Sequence, residues 1–388
     1  MFMRRRTVEG SEQVRAIQDP KMTRFFDLAP DIISLGLGEP GFPTPASISA
    51  GGISAIQAGQ TGYPPSRGYP ELRQEICDYL FRKFEYQYSP EEVLVTVGGS
   101  LGIDCILRAF LNPGDEVVVP TPSYGYYESI IRLSGGTVVP APTYADCEWK
   151  LTAETLKKSI SPRTKVIFLN YPNNPTGATM EKDEFAALVD VIQETQAIIV
   201  SDEIYAELTY SGKHNSILSF PSIKERAFLV SGFSKSMAMT GWRIGYVCAP
   251  ASLLEPVALV HSIAALCAPG IAQAAALEGL KNGRAAIDNM LHEYRRLREY
   301  ALGRIQSLGW ECNAPGGAFY LWPDIRNTGL DAECFAQRLC DEGRVAVVPG
   351  AVFGEAYQYH LRISYACSME ILEKAFDRIE AFCSVFSS

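Results

Sequence analysis

The sequence predicts an α/β protein, with a large domain built on a mainly parallel sheet flanked by helices and a smaller α/β domain after it. Between about residues 90 and 250, short β-branched runs alternate with helical patterns, as they do where helices connect parallel strands. Further along the chain, one long helical pattern precedes three short strand candidates and a final amphipathic helix. The chain has 388 residues, which is enough for two packed units.

Five strand candidates follow one another in the large domain, and each ends in polar, aromatic or glycine-rich residues. In chain order they are EEVLVTV before GGSLG, DEVVVP before TPSYGYY, TKVIFLN before YPNNPTG, QAIIV before SDEIY, and RAFLV before SGFSK. Because ligands bind beyond the carboxyl ends of the strands in an open parallel sheet, these loops are expected to converge on one site.

The smaller domain is predicted from the last third of the chain. The segment YRRLREYALGRIQSLGW has apolar residues at helical spacing: Tyr294, Leu297, Ala301, Ile305 and Leu308. GGAFYLWP, RVAVVPG and HLRISYA are the three strand candidates, and the final helix is predicted from Met369 to about Phe382.

Composition argues against several classes of protein. The net charge of -9 argues against a nucleic-acid partner, which would require a basic surface, and residues 4–6 (RRR) are interpreted as a solvated tail. No apolar run approaches the roughly 18 residues of a membrane span, and the first residues lack the pattern of a signal peptide. The ten cysteines form no CxxC pair, which favours reduced thiols and a cytoplasmic location. The four histidines lack metal-ligand spacing, so no metal is expected.

The segment SGFSKSMAMTGWRIG contains the first candidate for chemistry. It places Lys235 among small and apolar residues, and Arg243 follows after a Thr-Gly-Trp turn. A lysine on a loop ordinarily points at water, because lysine is almost never fully buried without a partner. The alternative is a deprotonated amine that forms an imine with a carbonyl compound.

Four other strand-end segments supply groups that could surround such an amine. Residues 98–102 (GGSLG) form either a tight helix start or a phosphate cradle at a helix N-terminus. Tyr124 is either core or an aromatic plate, and Asn174 lies in a good turn sequence. Asp202 is either a helix cap or a carboxylate in a dry site, with Tyr205 nearby. An amine, a carboxylate, an aromatic plate, a phosphate cradle and an arginine are together what pyridoxal phosphate requires.

With these residues the chain resembles the fold-type I pyridoxal-phosphate aminotransferases of class I and II, and most closely the prokaryotic aspartate and aromatic aminotransferases. The resemblance runs from ISLGLGEPGFPTP through YPPSRGYPELR, YPNNPTGA, SDEIYAEL and SKSMAMTGWRIG to GGAFYLWP, VAVVPGAVFG and LRISYA. It implies the fold of that family, with an N-terminal segment at 1–40 that packs with the small domain. It also implies a large cofactor-binding domain at 41–285 and a small C-terminal domain at 286–388.

The resemblance also implies a role for each site residue. Lys235 would form the Schiff base, and Asp202 would hold the pyridine nitrogen of the cofactor. Tyr205 and Asn174 would bond its phenolic oxygen, while Tyr124 would stack on its ring. The phosphate would be bound by four residues of one subunit of a homodimer and one of the other: Gly99, Ser100, Ser234, Arg243 and, from the neighbouring subunit, Tyr63. The substrate α-carboxylate would be bound by Arg362, Gly38 and Asn174.

Two positions depart from the pattern of the family. Many relatives have a serine three positions before the lysine, where this chain has Gly232, so Ser234 would contribute more to phosphate binding. Some relatives that prefer dicarboxylates have a lysine in place of Ser100, which argues against a strict preference for aspartate.

The predicted reaction moves an amino group from an L-amino acid to a 2-oxo acid, with 2-oxoglutarate as the expected acceptor and Lys235 as the general acid and base. A β-lyase on the same fold is the alternative, since the same chemistry can expel a leaving group. A non-enzymatic sensor would need a DNA-binding module before the fold, which begins by about Asp31.

Four aromatic residues are expected at the pocket mouth and favour an aromatic or bulky neutral substrate, with aspartate and a broad range left open: Phe25, Phe26, Phe42 and Tyr63.

Overall fold

Strands and helices alternate along most of the chain. The computed structural model describes residues 10–15, residue 17 and residues 28–384. The strands in this part are β1 (Ile33–Ser34), β2 (Val93–Thr96), β3 (Glu116–Thr121), β4 (Thr137–Pro142), β5 (Thr164–Asn170), β6 (Ile198–Asp202), β7 (Ala227–Gly232), β8 (Gly245–Cys248), β9 (Tyr320–Leu321), β10 (Val345–Ala346), β11 (Val348–Pro349) and β12 (Leu361–Ser364). The helices are α1 (Glu12–Arg15), α2 (Ala46–Gln57), α3 (Pro70–Phe84), α4 (Gly98–Phe110), α5 (Tyr126–Leu133), α6 (Ala153–Ser159), α7 (Lys182–Gln193), α8 (Pro221–Lys224), α9 (Ala251–Ala265), α10 (Gly270–Asn282), α11 (Arg284–Ser307), α12 (Ala332–Asp341) and α13 (Met369–Cys383).

A seven-stranded sheet forms the centre of the larger part, in the order β2-β8-β7-β6-β5-β3-β4. Strands β4, β3, β5, β6 and β7 pair in parallel, whereas β8 is antiparallel to both of its neighbours. The predicted α/β fold with a mainly parallel sheet is therefore confirmed. Because β5, β6 and β7 are adjacent and parallel, the loops after them open at one edge of the sheet.

The core lies on both faces of this sheet because successive side chains of a strand point to opposite sides. Ile167 and Leu169 belong to the cluster on one face, which continues into the C-terminal part of the chain. Phe168 belongs to the cluster on the other face, beneath α4, α5 and α9. Strands buried on both faces read as continuous apolar runs, which is why TKVIFLN and QAIIV were recognisable from sequence.

Two strands of the large sheet were not predicted. The edge strand β4 contains two prolines, which lack the N–H that a central strand would need. Strand β8 has only four residues, and it follows directly on the loop that carries Arg243. A strand interrupted by prolines and a strand of four residues give weaker apolar runs than TKVIFLN or QAIIV.

The C-terminal part differs from its prediction at one segment. RVAVVPG was predicted as one strand, but it divides into β10, which pairs with β1, and β11, which pairs with β12. Strand β12 also pairs with β9, so that three short strands form a second sheet. Helix α11 buries Tyr294, Leu297, Ala301 and Ile305 as expected, while Leu308 lies just after its last residue.

No helix in the described residues is both long enough and apolar enough to cross a membrane.

Candidate active site

Lys235 lies in the loop that follows β7, at the carboxyl edge of the large sheet. Its side chain is half-buried, and its Nζ donates a hydrogen bond of 2.6 Å to the carbonyl oxygen of Gly38. Burial lowers the pKa of Lys235 to about 8, with Arg362 and Arg243 acting in the same direction and Glu39 opposing them. A substantial fraction of this amine is therefore neutral near physiological pH, as a nucleophile or base must be.

Asp202 is the last residue of β6, and it is only 7% exposed. The hydroxyl of Tyr127 donates to its Oδ2 at 2.6 Å, and the N–H of Ile204 donates to its Oδ1 at 3.1 Å. Burial raises the pKa of Asp202 to about 6, although both hydrogen bonds act to lower it. Since Asp202 has no salt-bridge partner among the described residues, the site holds a carboxylate that a cationic group could neutralise.

A glycine turn at the start of α4 leaves a cradle beside Arg243. Gly98 has φ +71°, and a Cβ there would lie 2.8 Å from Nη2 of Arg243. A Cβ on Gly245 would lie 2.8 Å from the backbone nitrogen of Gly99. The residue before α4, Val97, provides no side-chain cap for the first N–H groups of the helix. Free N–H groups, a helix dipole and a guanidinium together suit an anion such as phosphate.

Arg243 adopts φ +54°, a left-handed conformation that is uncommon for a residue with a side chain. Its Nη1 donates to the carbonyl oxygen of Thr240 at 2.9 Å. Strained backbone of this kind is concentrated at functional sites, where the surrounding structure enforces it. Here it directs the guanidinium toward the glycine turn.

The structure gives a reason for the glycine at position 232. A Cβ on Gly232 would lie 2.9 Å from the Cα of Gly245 in the adjacent strand β8, so a serine would require the two strands to separate. Ser234 is buried near this point, whereas Ser100 in the first turn of α4 is exposed.

Aromatic rings form a wall around the strand ends. Tyr124 contacts Tyr127 edge-on, with ring centroids 5.4 Å apart, and Tyr127 packs on Phe168 at 4.9 Å. Tyr205 is 3% exposed, and its hydroxyl oxygen lies 2.7 Å from that of Tyr320. Burial raises the pKa of Tyr124 and Tyr205, so both remain neutral phenols.

Arg362 in β12 is fully buried. Its Nη1 donates to Oδ1 of Asn174 at 3.0 Å, and its Nη2 donates to the carbonyl oxygen of Gly36 at 2.5 Å. Its Nε has no hydrogen-bond partner among the described residues, and its guanidinium lies 4.6 Å from the ring centroid of Tyr320 and 5.2 Å from that of Phe353. Because no carboxylate pairs with Arg362 in the described part of the chain, the pocket contains a buried cation that lacks an anion.

Of the four residues expected at the pocket mouth, the structure describes Phe42 and Tyr63. Tyr63 is 87% exposed, and Phe25 and Phe26 lie outside the described residues, as does the basic segment at 4–6. Phe42 is half-buried and packs edge-on against Tyr294, with centroids 5.3 Å apart.

Three residues of the site were missed from the sequence, namely Tyr127, Tyr320 and Asn170. Asn170 ends β5, donates to the backbone oxygen of Asp202 at 3.0 Å and accepts from the N–H of Asn174 at 3.1 Å. It thus fixes the turn that carries Asn174 to the strand that carries Asp202. Its place at a strand end was a usable signal, whereas the two tyrosines are recognisable only through contacts with distant parts of the chain.

Loss of the hydrogen bond from Tyr127 to Asp202 is expected to lower the stability of the protein by an amount that depends on pH. In the folded protein the pKa of Asp202 lies above its ordinary value of 3.8, so stability falls as pH rises through about 4 to 6. Tyr127→Phe removes one donor to the carboxylate, raises this pKa further and extends the fall to higher pH. Because hydrogen bonds to ions are the stronger ones, we expect a loss of about 2 kcal/mol at pH 8 and about 1 kcal/mol at pH 5. Denaturant unfolding of the cofactor-free protein measures both values, and equal losses at the two pH values would contradict the assignment.

Comparison with known proteins finds similarity to one family over most of the chain. A family model described as aminotransferase class I and II matches residues 30–379. An aspartate aminotransferase of Pyrococcus abyssi is 38% identical over 377 residues, which cover 95% of this chain and 97% of that protein. Aromatic-amino-acid aminotransferase 2 of Thermococcus litoralis is 36% identical over 377 residues, with coverage of 95% and 97%. The solved structure of a Thermus thermophilus aspartate aminotransferase with maleate has a TM-score of 0.91, 36% identity and coverage of 97% and 100%.

Proposed function

The chain belongs to the class I and II aminotransferase family, and we propose that it transfers an amino group from an L-amino acid to a 2-oxo acid by ping-pong chemistry. Transaminases of this family depend on pyridoxal phosphate, and the relatives do not favour the β-lyase alternative. One observation carries the proposal. An amine with a lowered pKa, Lys235, lies within the electrostatic influence of a buried carboxylate, Asp202, and a buried guanidinium, Arg362. Neither of these two has an oppositely charged partner among the described residues.

The residues fit pyridoxal phosphate on the chemistry of each group. The glycine turn at Gly99, with Ser100, Ser234 and Arg243, would hold the phosphate, since a side chain on Gly98 would fill that cradle. Asp202 would hold the ring nitrogen, because a protonated pyridine provides the cation that this buried carboxylate lacks. Tyr124 would cover the ring, while the hydroxyl of Tyr205 and the side-chain amide of Asn174 would donate to the ring oxygen. When bound, the cofactor supplies a reactive aldehyde carbon and an electron-accepting ring.

Lys235 is the proposed catalytic residue, with two tasks at its Nζ atom. In its neutral form, Nζ attacks a carbonyl carbon, for which a pKa of about 8 is favourable. With the substrate amine in its place, Nζ would accept the proton of the substrate α-carbon and deliver it, within the same half-reaction, to the cofactor carbon that carries the amino group, and it would move the proton in the opposite direction in the reverse half-reaction. Asp202 remains ionised when it faces a cation, and it thereby keeps that cation protonated.

Arg362 is the proposed binding group for the α-carboxylate of every substrate. Its planar guanidinium can make two parallel hydrogen bonds to a carboxylate, which a lysine cannot. A carboxylate would also supply the anion that Arg362 lacks, in competition with the carbonyl oxygen of Gly36. Gly38 leaves room at this point, since a Cβ there would meet the hydroxyl of Tyr320 at 2.6 Å.

For the substrate side chain we propose an aromatic or broad preference, and 2-oxoglutarate as the amino acceptor. Ser100 provides no positive charge for a second carboxylate, and the aromatic wall around Tyr124 and Tyr205 favours an apolar or aromatic group. The test is a panel of half-reactions. Holoenzyme is mixed with each L-amino acid without a 2-oxo acid, and the loss of the absorbance of the imine between lysine and cofactor is followed. Accumulation of pyridoxamine phosphate supports amino-group transfer. Release of pyruvate and ammonia without pyridoxamine phosphate would contradict the proposal.

We also propose a cytoplasmic homodimer with shared active sites. Tyr63, expected to reach the phosphate of the neighbouring subunit, is 87% exposed in the single chain. Several other large apolar side chains are exposed, among them Ile53 at 54%, Leu259 at 63% and Ile263 at 79%, and a second copy would cover such surface. The division into an N-terminal segment at 1–40, a cofactor-binding domain at 41–285 and a small domain at 286–388 remains part of this proposal. The pairing of β1 with β10 supports the contact of the N-terminal segment with the small domain.

Shared sites predict that two impaired variants restore each other. In a hybrid of Tyr63→Ala and Lys235→Ala subunits, one site has its own Lys235 and receives an intact Tyr63 from its partner. Random mixing makes half of the dimers hybrid, each with one working site, so we expect activity to recover to about a quarter of wild type. The assay is made after the variants are unfolded and refolded together, with separately refolded variants as the control. Activity no higher than the sum of the two separate variants would contradict shared sites.

A further inference from the structure

Tyr320 is a fully buried tyrosine that contacts three parts of the site. It lies in β9, and its hydroxyl oxygen is 2.7 Å from that of Tyr205. The same hydroxyl lies where a side chain on Gly38 would have to be, and the face of its ring lies 4.6 Å from the guanidinium carbon of Arg362. Tyr320 thus connects the small second sheet to the groups proposed to bind cofactor and substrate.

The two tyrosine hydroxyls have only one proton each, which limits how they can be arranged. Either hydroxyl could donate to the other in the contact between Tyr205 and Tyr320. Burial raises the pKa of both phenols, so each keeps its proton across the physiological range. If Tyr205 donates to the cofactor ring oxygen, its only proton is used there, and in its contact with Tyr320 it can act solely as an acceptor.

We propose that Tyr320 is a positioning residue that donates a hydrogen bond to Tyr205 and thereby directs the proton of Tyr205 toward the cofactor ring oxygen. This inference rests on the proposed function, since it requires the cofactor to bind beside Tyr205. Hydrogen bonds in a chain strengthen one another, so a Tyr205 that accepts from Tyr320 is the better donor. The positive charge of Arg362 above the ring of Tyr320 makes the Tyr320 hydroxyl a stronger donor in turn.

The consequence is measurable in the cofactor itself. A hydrogen bond to the ring oxygen stabilises the deprotonated, more negative form of the bound chromophore and so lowers the pH midpoint of its absorbance change. Tyr205→Phe removes this bond, and we expect the midpoint to rise by about 1 to 2 pH units. Tyr320→Phe keeps the ring over Arg362 and only weakens the bond, so we expect a rise of about 0.5 pH unit.

The experiment is a spectroscopic pH titration of four holoproteins: wild type, Tyr320→Phe, Tyr205→Phe and the double variant. Because Tyr320 acts through Tyr205, the double variant is expected to have the midpoint of Tyr205→Phe alone. Tyr365→Phe is the matched control, since its fully buried hydroxyl also pairs with a tyrosine, Tyr210, at 3.1 Å. This control should lower the unfolding temperature about as much as Tyr320→Phe does and leave the midpoint unchanged.

Two results would overturn the inference while the proposed function stands. The first is a Tyr320→Phe holoprotein with the same midpoint as wild type. The second is a double variant whose midpoint differs from that of Tyr205→Phe by as much as Tyr320→Phe differs from wild type. A wild-type protein that takes up no cofactor would overturn the proposed function and this inference together. The inference is supported if the midpoint of Tyr320→Phe is higher than that of wild type and the double variant has the same midpoint as Tyr205→Phe.

Discussion

Lys235→Ala is expected to abolish amino-group transfer while the protein remains folded. The substitution removes the nucleophile and the general base at once, and a general base alone contributes about 10²- to 10⁴-fold to a rate, so we expect kcat to fall by roughly 10⁴-fold or more. The fold should tolerate the change, because Lys235 is half-buried and its one hydrogen bond within the described part of the chain is to the carbonyl oxygen of Gly38. Single-turnover mixing with an amino acid measures the loss without interference from product release.

Two further variants separate the chemistry of Lys235 from its charge. Lys235→Arg keeps a positive charge but cannot supply a neutral nitrogen, because a guanidinium stays protonated in proteins, and it is therefore expected to be as inactive as Lys235→Ala. Lys213→Ala is the matched control, since Lys213 is an exposed lysine that pairs with Glu85 at the surface. Full activity in Lys235→Ala, or a comparable loss in Lys213→Ala, would show that the site has been assigned to the wrong lysine.

Arg362→Ala is expected to weaken productive binding of every amino acid and every 2-oxo acid by a similar factor. Loss of one partner from a buried, hydrogen-bonded ion pair costs about 2 to 5 kcal/mol, which corresponds to a fall in kcat/KM of roughly 30- to 5,000-fold. The loss should not depend on the substrate side chain, because the α-carboxylate is common to all substrates. Arg362→Lys should recover only part of it, since a lysine lacks the planar fork.

Stability distinguishes a binding role for Arg362 from a structural one. A buried cation without an anion is costly in the absence of substrate, so Arg362→Met should unfold at the same denaturant concentration as wild type or a higher one. Arg344→Ala is the control, because Arg344 pairs with Asp31 at the surface. A large loss of stability in Arg362→Met, or a loss of kcat/KM confined to one substrate, would contradict the proposed carboxylate site.

The sequence predicted those parts of the site that lie in continuous motifs at strand ends. Lys235, Asp202 and Asn174 follow apolar runs that are easily recognised as buried strands, so their common location follows from the parallel sheet. The proposed phosphate cradle at residues 98–102 is likewise contained in one turn, and the resemblance to a family strengthened each of these assignments.

The remaining part of the site depends on contacts between segments far apart in the chain. Tyr127 and Asp202 are separated by 75 residues, and Tyr205 and Tyr320 by 115, so no local pattern indicates that their side chains meet. Gly232 was seen as a missing ligand, whereas the structure shows that β8 lies too close for a side chain there. Strand pairing of this kind is set by packing across the sheet, which local propensity does not encode.

Borohydride reduction of the holoenzyme, followed by proteolysis and mass mapping, tests directly whether Lys235 carries the cofactor. Reduction converts a carbon–nitrogen double bond between protein and cofactor into a stable single bond, so the modified lysine can be located. We expect a cofactor label on the peptide that contains Lys235, and no label in Lys235→Ala. A label on any other lysine, or reduced wild-type protein without a cofactor adduct, would contradict it.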